Sequence, residues 1–390
     1  MSKYKPWLFG KQARSLPVFK DPAAWVHSRE ENAKVSPHEA SSTARRHPSR
    51  TVPENLEGLI GNPTEYLVTS RRDWDILKYA RLYTGENYEI PATFEFALRD
   101  CWLHVPSGMV ITKDKEVLSF STYALNAFYE GHSDLDWSDA PWVEEPAFKL
   151  ATVWGRNYAH WLMDALPKAD ALVPGDTRLT ILDKEAPPFQ SQSAELLGLK
   201  NLHVPTINLL RFRELHFVSS TRSGSPDPRP LFRIRKRLQD AVGLPHPCSG
   251  RRLYISRQHA RRRIVNGEDV EKVLTDFGFE EIFTEEMSFA DQVRIFSEAA
   301  AIFGAHGAGT MNVVFAPAGS SLIEVINPRV WDHSAHRVAS LCGVNHYHLF
   351  AENVSPDFDI RVDPFRLERT LALALEDSSQ PRKTLVEKYF

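Results

Sequence analysis

The 390-residue sequence is poor in cysteine: Cys101, Cys248 and Cys342 are too few and too scattered for a disulfide framework or a zinc site. It also lacks a positive excess. Its 47 Lys and Arg stand against 50 Asp and Glu, a formal net charge of -3, which argues against a general nucleic-acid binder. Any basic patch must be local. No apolar core follows the charged amino terminus as it would in a secretory signal, and no apolar run is long enough to span a bilayer. The expectation is a cytoplasmic protein with no integral membrane segment, peripheral contact with the inner face of the membrane being left open.

What is present suffices for a large fold. Hydrophobic residues make up 42% and aromatic residues 11%, which supplies large cores and suggests two domains. Residues 1–55 read as an extended arm, since 11–53 mix Pro, Ser, His and Arg without strand or helix period, least structured over 41–48. Residues 103–118 alternate apolar and polar around Lys113-Asp114-Lys115, a hairpin pattern. Strand and helix patterns then alternate, as in an open α/β sheet. The Pro-rich stretch 223–230 places a boundary, giving domains 56–228 and 229–375 and a tail 376–390.

Three groups of residues carry chemistry. In the first, Asn157 is a plausible N-cap, and a helix starting there stacks His160 on Asp164, four residues on. A carboxylate beside an imidazole raises its basicity and orients its tautomer, so the pair suits proton abstraction from a hydroxyl. A helix-stabilising polar pair would look the same. In the second, a strand at 251–257 is followed by Arg261, Arg262 and Arg263. Arginines past the carboxyl end of a strand lie where open α/β sheets bind ligands, and their forked guanidiniums suit a diphosphate. A solvated basic loop or a nucleic-acid contact is the other reading.

The third group is the turn His306-Gly307-Ala308-Gly309, between an apolar strand and a helix start that contains Asn312. Its glycines let backbone approach an anion held at the helix terminus, or merely allow tight strand-to-helix packing. Beyond it, Glu324 interrupts the apolar strand 321–326. A buried carboxylate needs a partner: the hydroxyls of a ribose, or else an arginine or a backbone cap.

The succession Asn157-Tyr158, His160-Trp161, Asp164, then Tyr254-Ile255-Ser256-Arg257 with Arg262-Arg263, then Phe289, Gln292, His306 to Gly309, Asn312 and Ile323-Glu324-Val325 resembles glycosyltransferase family 61 over residues 150–327. The resemblance implies an α/β fold of the GT-B type, with two Rossmann-like domains facing a central cleft and the nucleotide held by the second. It also implies an inverting transferase using a nucleotide sugar, UDP-linked by expectation, and a glycan or lipid-linked glycan acceptor. The chain is more similar to bacterial members linked to capsule or surface polysaccharide synthesis than to anchored eukaryotic ones. His160 or Asp164 would take the acceptor proton. Asn157, Arg257, Arg262, His306, Gly307, Ala308, Gly309, Asn312 and Glu324 would bind the donor. Neither a cofactor nor a metal is expected, because arginines and backbone N–H groups can stabilise the departing diphosphate.

A non-catalytic sugar-nucleotide or polysaccharide binder would keep the arginines and the turn but have no need of the His160 and Asp164 pair. A phosphoryl-transfer enzyme should show a Walker-type lysine or metal-binding acids around 304–312, and neither is there. The metal-site tripeptide Asp134-Leu135-Asp136 is short enough to arise by chance and lies far from the other motifs. Donor sugar, base, linkage and oligomeric state are not encoded in any of these patterns.

Overall fold

The computed structural model describes residues 18–24, 43–47, 50–53, 87–123, 139–221, 223–243, 250–327, 329–330, 332 and 334–377. The chain divides into two units, Met1–Arg50 with Ile90–Pro230 and Thr51–Glu89 with Leu231–Phe390. Each has its own buried apolar cluster.

The first unit is built on the long antiparallel pair Thr93–His104 and Leu209–Val218, in register from Glu95↔Val218 to His104↔Leu209. Period-two alternation puts Phe94, Phe96, Leu98, Leu215 and Phe217 into the core, where Phe96 stacks on Phe217 at 4.9 Å between ring centroids. The expected hairpin is Met109–Thr112 with Val117–Leu118. Beside Leu209–Val218 the sheet turns parallel, with Ala147–Lys149, Leu179–Ile181 and Leu202–His203 side by side. The helical segment before Leu179 and helix Pro188–Leu196 connect these strands in α/β fashion. The α/β class therefore holds here in a mixed sheet, whose parallel strands adjoin antiparallel ones.

The arm departs from expectation. Thr43–His47, inside the stretch read as least structured, pairs antiparallel with residues 93–97, and Val18–Phe19 pairs parallel with Val117–Leu118. A strand added to a sheet in this way is held by backbone hydrogen bonds, so the sequence Thr-Ala-Arg-Arg-His needs no apolar alternation to form it.

Helix Pro228–Val242 starts inside the Pro-rich boundary stretch. Pro228 and Pro230 sit in its first turn, where no intrahelical N–H is required.

The second unit carries a wholly parallel sheet in the order Glu280–Ile282, Arg251–Ile255, Ala299–Ala305, Ser321–Ile326, Asn345–Phe350. Its inner strands, such as Ala-Ala-Ala-Ile-Phe-Gly-Ala, read as continuous apolar runs because both faces are covered. Ser288 caps helix Phe289–Ser297 by accepting the Asp291 N–H at 3.1 Å while its hydroxyl donates to the Asp291 carboxylate at 2.6 Å. Numbered within this unit the strand order is 2-1-3-4-5, a doubly wound arrangement. Its direction of winding reverses between Arg251–Ile255 and Ala299–Ala305. Among the described residues no helix is long and apolar enough to cross a membrane.

Candidate functional site

In the first unit, Asn157 Oδ1 accepts the Ala159 N–H at 2.9 Å and opens the helix at Tyr158–His160. The helix does not continue as a regular α-helix. Pro167 has no N–H to give the carbonyl of Met163, and the chain widens into a π-turn over Trp161–Ala165 before tightening to a 3-10 stretch at Leu166–Ala171. Wide turns of this kind often mark functional positions. His160 and Asp164 nonetheless meet, Nδ1 to Oδ2 at 2.8 Å, with the imidazole 30% exposed and the carboxylate 2% exposed.

Three further groups hold Asp164. The Ser223 hydroxyl donates to Oδ2 at 2.7 Å and lies 3.2 Å from His160 Nδ1. The Gly224 N–H reaches Oδ1 at 3.3 Å, and the Tyr123 hydroxyl donates to the Asp164 backbone carbonyl at 2.7 Å. A proton on Nδ1 bonded to the buried carboxylate leaves the lone pair on Nε2. The ring is flanked by Trp154, whose centroid is 5.1 Å away. Lys168 lies close by with its ammonium on Ser220 Oγ at 2.8 Å; burial pushes it down to about 8 against the pull of Asp164. Sequence reading missed Ser223 and Gly224, which fall in the presumed linker 59 and 60 residues after Asp164.

In the second unit the winding reversal brings together the loops after Arg251–Ile255 and Ala299–Ala305. Arg257 comes from the first loop and packs against Gly307 of the second: a Cβ at Gly307 would collide with its guanidinium. Gly307 itself is extended, with φ 166°, so the glycine is needed for this close approach and not for backbone freedom. Arg262, in the left-handed region at φ 64°, turns its Nη1 toward the His306 carbonyl at 3.5 Å. Arg257 Nε donates to the Arg261 carbonyl at 3.0 Å. Among the described residues neither Arg257 nor Arg262 forms an ion pair with a carboxylate. Burial first, and then Arg262, lower the Arg257 pKa, with Glu285 opposing; burial lowers that of Arg262 against Asp332. Two half-buried cations are thus held close together.

The turn runs into a 3-10 helix, Ala308–Phe315, whose first N–H groups, at Ala308 and Gly309, have no intrahelical partner. Asn312 is fully buried, and its amide donates to Gln292 Oε1 at 2.9 Å and to the Gly309 carbonyl at 3.2 Å, pinning the turn from below. Asn157 belongs to the first unit, where it caps the His160 helix.

Glu324 is 1% exposed and lies between two imidazoles, Oε1 on His306 Nδ1 and Oε2 on His346 Nε2, both at 2.8 Å. Among the described residues its partners are these imidazoles, and neither an arginine nor a backbone cap. Burial opposes the charge, but His306 and His346 outweigh it and hold the carboxylate well below its usual range. On His306 burial likewise acts downward, and Glu324 overcomes it to raise the pKa. His348 stands in register with Glu324 on the adjacent strand; burial, then His346, push it down to about 3, so it stays neutral.

Glu324→Gln is therefore expected to destabilise the second unit. Removing one member of a buried pair costs about 3–5 kcal/mol, and the amide oxygen, which keeps one bond, points to the lower end. The sign with pH follows from the two shifts. The lowered Glu324 contributes fully above its ordinary 4.5 and loses that contribution in acid. The raised His306 contributes fully below its ordinary 6.5 and loses it as the pH rises further. In calorimetry the Tm deficit of the variant should be largest between these two values; a deficit that grows steadily toward alkaline pH contradicts the assignment.

Residues 158–323 match the family model Glycosyltransferase 61. Over these residues the chain is similar to glycosyltransferase family 61. The matched span takes in His160, Asp164, Arg257, Arg262 and the turn 306–309, with Asn157 and Glu324 just outside its ends. No curated protein matches the chain. That similarity suggests a glycosyl-transfer role, which implies a sugar donor and an acceptor. The tripeptide at 134–136 lies outside the described residues.

Proposed function

We propose that the protein is an inverting, metal-independent glycosyltransferase of the GT-B type, moving a sugar from a nucleoside-diphosphate donor to a glycan hydroxyl in capsule or surface polysaccharide synthesis. The observation that carries this reading is the meeting of Arg257 and Arg262 with the glycine turn at the winding reversal of the second unit. In doubly wound sheets ligands bind there, outside the carboxyl ends of the strands. Two cations depressed by burial and lacking, among the described residues, a carboxylate at ion-pair distance favour an anion with two negative groups, which a diphosphate is. His306, its pKa raised by Glu324 against the effect of burial, stands at the same turn and adds positive charge there when protonated.

The first unit supplies the base. The Nε2 of the partly exposed His160 ring accepts the acceptor's hydroxyl proton while Asp164, too buried to reach a substrate, fixes the tautomer and stabilises the imidazolium. The deprotonated oxygen attacks the anomeric carbon from the face opposite the leaving group. The C–O bond to the diphosphate breaks, and the bonding pair departs with the diphosphate to Arg257, Arg262 and the N–H groups of the turn. One attack from the opposite face inverts the anomeric centre.

Titration of UDP, GDP and CDP by calorimetry tests the donor class. Binding is expected to survive a chelator, because guanidiniums occupy the role a cation plays elsewhere. Complete loss in EDTA, restored by manganese or magnesium, overturns metal independence.

A further inference from the structure

Within the first unit, the loops leaving the parallel neighbours Ala147–Lys149 and Leu179–Ile181 line a pocket of about 400 Å3 that the chemistry above does not use. The size falls in the range of small-molecule sites, roughly 300–1,000 Å3. Its walls are of two kinds. Val105, Pro106 and Val153 give an apolar surface, and Arg156, Lys184, Glu185 and Asn208 give donors and acceptors around it. Asp183 completes the lining, its carboxylate buried on the Thr152 N–H at 2.8 Å and on Gln190 Nε2 at 2.6 Å.

The charges balance. Arg156 meets Glu185 at 3.2 Å, Lys184 donates to Asn208 at 3.0 Å, and two cations face two carboxyl groups. A phosphate would find no surplus cation and would meet Asp183 and Glu185 as like charges. Among the described lining residues a flat aromatic ligand would find no ring to stack on. A pyranose fits both kinds of wall: its hydroxyls can donate to Glu185 and accept from Arg156, Lys184 and the Asn208 amide, while its C–H face lies on the apolar side chains. The rim is also built for closeness. Gly155 approaches the Asp183 carboxylate so tightly that a Cβ would collide with it, and Glu185 is held in the left-handed region at φ 54°. The turn that gives Thr152, Val153 and Arg156 to the pocket also gives Trp154 to the His160 ring.

We infer that this pocket binds a neutral saccharide of one or two rings and forms the acceptor-side subsite. The word acceptor rests on the transferase reading above; saccharide binding does not.

The test is saturation-transfer NMR on the full chain with the methyl glycosides of glucose, galactose, xylose and N-acetylglucosamine, with methyl phosphate as the anionic control. A UDP titration of the same samples reads the second unit independently. At least one glycoside is expected to bind and methyl phosphate is not. Arg156→Ala and Asn208→Ala should each weaken that glycoside by about tenfold, the scale of one hydrogen bond to a charged or buried group, and leave UDP affinity unchanged. Circular dichroism checks that the variants fold, and the exposed Arg156 provides the arm least exposed to misfolding. If no glycoside binds, or both variants bind it normally, the subsite is overturned while UDP binding keeps the transferase reading. If the glycoside responds as stated and no nucleoside diphosphate binds, the pocket stands and the transferase reading falls. In a turnover assay Arg156→Ala should raise the acceptor KM about tenfold with kcat within about twofold; an unchanged KM removes the acceptor assignment.

Discussion

His160→Ala is expected to lower kcat by about a hundredfold to ten-thousandfold, the usual contribution of a general base, and to leave UDP affinity as it was. His160 is the partly exposed member of its pair, Asp164 the buried one, and Ser223, Gly224 and Tyr123 fix Asp164 in place. Only the imidazole is available to a hydroxyl. Asp164→Asn should fall in the same range by a different route, because an amide presents a donor as well as an acceptor and no longer selects the Nδ1–H tautomer. Ser223→Ala, which leaves the carboxylate and the imidazole in contact, should cost far less. Stopped assays at saturating donor, paired with calorimetric UDP titration, separate chemistry from binding. A fully active His160→Ala variant would take the histidine out of the base role, and a fully active Asp164→Asn beside it would remove the whole helix from the mechanism.

Arg257→Ala should act on binding and turnover together. A charge-assisted hydrogen bond to phosphate is worth about 1.5–3 kcal/mol, so UDP affinity should drop by roughly ten- to a hundredfold. The bond strengthens as charge develops on the leaving group, so kcat should drop as well. Lysine at 257 should not restore either value, since a point charge cannot reproduce the fork. A second reading separates a ligand-binding arginine from a structural one. Burial and the neighbouring Arg262 already disfavour the Arg257 charge in the free protein. Removing it should leave the ligand-free Tm unchanged or raise it, and should abolish most of the Tm increase that UDP produces in the wild type. A variant that melts well below the wild type and still binds UDP normally would make Arg257 part of the scaffold.

Much of this was legible in local pattern. Alternation located the hairpin at 109–118, Ser288 marked its helix, and the strand after Gly250 and the apolar run before His306 were both read as strands that end in candidate ligand loops. The four-residue spacing brought His160 to Asp164 even though the helix there is a π-turn, because Pro167 changes the winding without moving the pair apart. The strand at Thr43–His47 escaped notice because backbone pairing leaves no hydrophobic signature in Thr-Ala-Arg-Arg-His.

Single residues marked a need without naming the group that meets it. Glycine at 307 signals close approach, but local sequence does not name the neighbour, which is the Arg257 guanidinium. Glu324 announced itself as a buried acid needing a partner. Its partners, His306 and His346, stand 18 and 22 residues away on a preceding turn and a following strand.

By itself, the sequence determined the periods and the breaks: which segments bury one face, where a chain must turn, and which residue types stand at the ends of strands. Those are properties of neighbours along the chain, set by side-chain alternation, capping and the geometry of proline. The tertiary structure alone decided that Arg251–Ile255 and Ala299–Ala305 lie side by side with their winding reversed, which turns two separate loops into one cationic group. It also decided that Ser223 and Gly224 close over Asp164, and that Glu324 faces histidines. The physical reason is the same each time. A buried charge must be matched by whatever group packing brings to it, and packing is settled by burial of whole sheets, not by the spacing of the charged residues themselves.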